Sequence, residues 1–125
     1  MKPIEIIKQL GINAKKAAGQ LANIDNECKN KALKNLIRDI KLFSSDIIQI
    51  NKKDIDNAVS MNLSSAMIDR LTLNEDRIKG MITSLNEIIN LNDPVGLVLS
   101  EWDRPNGLHI QKVSVPIGVI GIIYE

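Results

Sequence analysis

The chain has 125 residues, with 44% hydrophobic and 25% charged side chains and a formal net charge of +1. That is the material of one small globular domain, with too little charge bias to argue for nucleic acid or an anionic lipid surface. A single cysteine excludes an internal disulfide and a thiolate metal cluster, and no apolar run approaches the roughly 18 residues of a membrane span.

No long apolar segment follows Met1, so the segment does not read as a secretory leader and the expected location is cytoplasmic. The first helix is predicted from Ile7, Leu10, Ala14, Ala17, Ala18 and Leu21, which recur at helical spacing opposite Lys15, Lys16 and Gln20; Gly11 weakens its middle. Asp25 can cap a second helix with the stripe Leu33, Leu36, Ile37 and Ile40. Ser44 or Ser45 starts a third segment around Ile47 and Ile48. Asn51 is expected to cap a short fourth one, with Asp54 and Asp56 at its positive end and with Ala58 and Val59 facing inward.

A loop over residues 61–64 leads to a short helical turn around Ala66–Ile68. Thr72 and Glu75 have capping-box spacing, in which each side chain satisfies a free amide of the first turn. The helix behind them carries Ile78, Met81, Ile82, Leu85, Ile88 and Ile89, and ends before Pro94, which disfavours helical geometry at Asp93. After Gly96 the period changes. Leu97–Asp103 and Leu108–Val115 read as hairpin strands joined by Arg104-Pro-Asn-Gly107, where Asn106 and Gly107 suit positive φ.

Pro116–Glu125 is almost unbroken Val and Ile with Gly118 and Gly121, the pattern of a parallel strand covered on both faces. The two glycines admit close approach of another backbone or a ligand. They do not form a phosphate loop, because they lie inside the apolar run and open no helix. A buried strand needs partners for its backbone groups, so the chain reads as the front portion of something larger.

Few residues offer chemistry. Cys28 lies near a predicted helix start, where a dipole can activate a thiol, but no His is nearby in sequence and a partly buried spectator is the expected role. His109 is the sole histidine; no orienting partner can be named, and an exposed strand position is expected. Asp54 with Asp56, and Asp69 with Glu75 and Asp76, are carboxylate groupings that helix capping explains. No metal site is expected. Trp102 suits either a subunit interface or packing against the helical layer. Tyr124 falls at a strand's carboxyl end, where open α/β sheets bind ligands.

Four blocks, Ala66–Ile78, Leu91–Gly96, Trp102–Leu108 and Val115–Glu125, together resemble the gamma-glutamyl phosphate reductase family in order and spacing over roughly the second half of the chain. The resemblance implies the N-terminal part of an aldehyde-dehydrogenase-like α/β fold. Residues 1–95 would be the helical part of the cofactor domain. Residues 96–115 would be a hairpin of the oligomerisation sheet, through which the full-length protein forms homo-oligomers. Residues 116–125 would be the first strand of a Rossmann-like nucleotide-binding sheet.

The reaction it implies is NADPH-dependent reduction of the small molecule gamma-glutamyl phosphate to glutamate 5-semialdehyde and phosphate, in proline biosynthesis. A cysteine thiolate would attack the acyl carbon to give a thioester that accepts hydride. The family's nucleophile lies downstream of every position here and does not match Cys28, so no catalytic residue is carried over. Ile122, Ile123, Tyr124 and Glu125 are carried over as residues beside the cofactor. The 125 residues alone are then expected to be inactive. The alternative reading is a non-enzymatic helical interaction module or the product of a decayed gene.

Overall fold

A computed structural model describes residues 2–123. Among them are five helices and one antiparallel sheet of two strands. The chain forms two compact units, residues 1–26 with 92–125 and residues 27–91.

The first unit opens with α1, Pro3–Leu21. Pro3 suits the first turn, where its missing N–H costs nothing. The Glu5 carboxylate reaches back to accept the Lys2 amide at 2.9 Å, and its charge sits favourably at the positive end of the dipole. The helix runs through Gly11 unbroken. None of its residues is buried, and Ile7, Leu10 and Leu21 stay exposed.

The same unit holds the hairpin. Strand β1 is Val98–Asp103 and β2 is His109–Val113, paired as Asp103↔His109, Trp102↔Ile110 and Glu101↔Gln111. The pairing is irregular between Val98 and Ser100, which marks a bulge near Leu99. Between the strands, Gly107 donates to the Arg104 carbonyl at 2.9 Å and Arg104 to the Leu108 carbonyl at 2.9 Å. Gly107 takes φ +83°, as expected; Asn106 does not adopt positive φ, and its side chain instead accepts the Leu108 amide at 3.2 Å. At the open end Ser114 closes the hairpin. Its amide donates to the Leu97 carbonyl, its hydroxyl to the Pro94 carbonyl, and its carbonyl accepts the Gly96 amide.

The expected strand at 116–125 is not formed among the described residues. Residues 114–123 carry no regular structure, Gly118 turns to φ +95°, and Ile117, Ile122 and Ile123 are 88%, 75% and 100% exposed. A parallel strand exists only beside neighbours, and the sole sheet among these residues is the hairpin. The helices and the hairpin of the α/β expectation are therefore present, and among the described residues 116–123 no third strand is formed.

The second unit contains α2 (Asn26–Leu42), α3 (Ser44–Ser60), α4 (Ser65–Leu71) and α5 (Glu75–Ile89). Its apolar core is Ile37, Ala58 and Ile78, one residue from each of α2, α3 and α5. The expected separate helix after Asn51 merges into α3. Asn51 does not cap; it lies mid-helix, 5% exposed, and spends its carboxamide on distant backbone. Asp54 and Asp56 consequently sit inside α3 and not at a helix start, so capping does not account for them. Ala58 faces inward as expected, but Val59 remains 55% exposed.

The chain turns after α3 at Asn62, which adopts φ +56°, a conformation Asn tolerates better than most residues. Ser64 caps α4 by accepting the Met67 amide. The expected capping box at Thr72 and Glu75 is replaced by another arrangement. Asn74 is the cap of α5 and accepts the Arg77 amide at 2.9 Å. Thr72 closes α4 instead, its hydroxyl donating to the Ile68 carbonyl at 2.7 Å. Asn is as good a cap as Thr, and the shift leaves Glu75 and Asp76 in the first turn of α5, where the dipole favours them.

Candidate functional site

The residues carried over as cofactor neighbours lie at the end of the chain. Ile122 and Ile123 are exposed, on backbone without regular structure; Tyr124 and Glu125 lie outside the described residues. Ile122 and Ile123 can offer apolar contact and backbone groups, and no acid–base chemistry. A Cβ placed at Gly118 or Gly121 would meet nothing within 4 Å, so no described group makes the close approach expected there. Gly118 is required by its positive φ; Gly121 is not.

His109 is better placed than its sequence suggested. Antiparallel register sets it opposite Asp103, whose Oδ1 lies 2.7 Å from Nδ1, while Glu101 Oε2 stands 3.5 Å from Nε2. Gln111 donates to the same Glu101 carboxylate at 3.0 Å. An orienting carboxylate thus exists, and a turn signal combined with antiparallel pairing could have found it. The arrangement still argues against a catalytic base, since both ring nitrogens face carboxylates of the hairpin's own first strand. It also argues against a metal: carboxylates on opposite sides of the ring cannot converge on one ion, and the described residues contain no grouping fit to hold one.

Cys28 sits in the first turn of α2 but is exposed, where partial burial was expected. The second carboxylate grouping is dispersed into structural roles. Asp69 pairs with Arg77 at 2.9 Å, Asp76 lies 3.4 Å from Lys79, and Glu75 opens α5. For Asp69 the partner is a cation and not a helix start.

Two polar anchors escaped the sequence reading, and both hold the α4–α5 connection. The Asn51 amide nitrogen donates to the Leu71 carbonyl at 2.9 Å, and its oxygen accepts the Leu73 amide at 2.7 Å. The Arg77 guanidinium donates to the Thr72 carbonyl at 2.6 Å and to both the carbonyl and the carboxylate of Asp69. Neither is signalled by local pattern, because each partner lies beyond a turn. Trp102 stays 44% exposed opposite Ile110.

A cavity of about 290 Å³ is lined by residues of α2, α3 and α5 that include Glu75, and a larger, mainly apolar groove of about 600 Å³ is lined by Leu36 and Ile40 of α2 and by Met81, Ser84, Leu85 and Ile88 of α5. No sequence-predicted site residue reaches the larger groove. The described residues therefore present scaffold and apolar surface, without an assembled constellation of nucleophile, base and oxyanion donors.

No protein-family model matches the chain. It is 48% identical over 119 residues to the gamma-glutamyl phosphate reductase of Bartonella henselae, covering 95% of this chain and 29% of that protein. Against the Desulforamulus reducens gamma-glutamyl phosphate reductase, identity is 45% with the same two coverages. Among solved structures, the gamma-glutamyl phosphate reductase of Thermotoga maritima matches with a TM-score of 0.80 and 36% identity, over 83% of this chain and 25% of that one. The Saccharomyces cerevisiae enzyme matches with a TM-score of 0.81 and 29% identity, over 86% and 28%. The resemblance carried by the four blocks thus extends to the helical half as well. The chain spans about three tenths of the length of the curated relatives it matches.

Proposed function

We propose that this chain is the N-terminal part of an NADPH-dependent oxidoreductase that reduces gamma-glutamyl phosphate to glutamate 5-semialdehyde and phosphate in proline biosynthesis. The observation that carries the reading is 48% identity sustained over 119 residues, which leaves no large part of the chain unaccounted for. In this reading residues 1–95 are the helical part of the cofactor domain and 96–115 an oligomerisation hairpin that builds a homo-oligomer. Residues 116–125 take up strand structure when the rest of the nucleotide-binding sheet lies beside them, and Ile122, Ile123, Tyr124 and Glu125 then flank the cofactor. The setting is the cytoplasm; among the described residues no helix is long and apolar enough to cross a membrane.

Residues 116–123 do not by themselves supply what NADPH's phosphates need. They carry no charged side chain to meet a phosphate, and Ile122 and Ile123 supply packing surface and backbone groups. What this chain contributes is scaffold, and alone it has no turnover. The test is a chimera in which these residues replace the corresponding segment of the Bartonella henselae reductase. Its phosphate-dependent oxidation of glutamate 5-semialdehyde is followed by NADPH formation, beside the 125-residue chain alone. Activity in the chimera and none in the isolated chain is expected. A soluble, folded chimera without activity would overturn the proposal.

A further inference from the structure

We draw no further inference here: the strongest candidate, the apolar groove lined by Leu36, Ile40, Met81, Leu85 and Ile88 of α2 and α5, is an unpartnered helix face, and nothing in the structure shows what covers it.

Discussion

Asn51, buried in the middle of α3, accepts the amide hydrogen of Leu73 at 2.7 Å across 22 positions of chain. The same carboxamide donates to the Leu71 carbonyl, so one side chain replaces two backbone partners that a strand or helix would otherwise supply. Asn51→Ala leaves both groups short of a partner in a part-buried position. The expected loss is about 1–3 kcal/mol, the penalty for unsatisfied buried polar groups. Hydrogen exchange at the Leu73 amide should accelerate; unchanged exchange would show that the bond contributes nothing to the connection.

Arg77 also holds the α4–α5 connection. Its side chain is 36% exposed, and two of its partners are the backbone carbonyls of Asp69 and Thr72, which no single substitution at their own positions removes. Arg77→Lys keeps the charge but loses the planar fork, and should lower the urea midpoint by an amount equivalent to about 1 kcal/mol. Asp69→Asn should do much less, because the Asp69 side chain is 74% exposed and its carbonyl remains. Equal losses in the two variants would contradict this division of labour.

Glycine substitutions separate conformational need from mere occurrence. Gly11 sits inside α1 with open space around its Cβ position, so Gly11→Ala should stabilise that helix by about 1 kcal/mol and raise helical circular dichroism. Gly107 has equally open space but φ +83°. Gly107→Ala should weaken the hairpin by about 1–2 kcal/mol, read as faster exchange of the β1 and β2 amides. Identical responses at the two sites would refute the argument from backbone angle.

Cys28→Ser in the active chimera should leave turnover at its parent level, since the residue lies on an exposed helix face and carries no role from the resemblance. A loss of ten-fold or more without loss of folding would reopen its candidacy as a nucleophile.

The isolated chain should unfold with poor cooperativity. Only Ile37, Ala58 and Ile78 are buried among its described apolar residues, while Ile7, Leu10, Leu36, Met81 and Ile88 remain substantially exposed. Such a core offsets little chain entropy. A thermal melt followed by light scattering should show a broad transition with aggregation. A sharp, reversible transition would instead favour a self-sufficient helical module.

Helical spacing alone located the apolar stripes of α2 and α5, and Asn106-Gly107 located the hairpin. Local signals failed wherever the partner was distant. Asn51 looked like a cap because Asn often is one; nothing near it in sequence announces Leu71 or Leu73. Thr72 lost the capping position to Asn74, and its hydroxyl and carbonyl bond to Ile68 and Arg77 instead. The apolar run at 116–123 met the pattern of a buried strand, yet pattern cannot supply the neighbouring strands that make one. Asp103 and His109 sat on either side of a recognised turn, and only the register revealed them as a pair.

That pair bears on how the hairpin chooses its alignment. Slipping β2 by one residue would set His109 opposite Trp102 or Arg104 and separate it from its hydrogen-bond partner Asp103. It would also turn Gln111 away from Glu101 and mix the polar face with the face of Trp102 and Ile110. One-residue slips exchange the two faces of a strand, and here the exchange would also break the Asp103–His109 and Glu101–Gln111 hydrogen bonds. Those two hydrogen bonds are compatible only with the observed register, on strands whose exposed residues offer little burial to specify it.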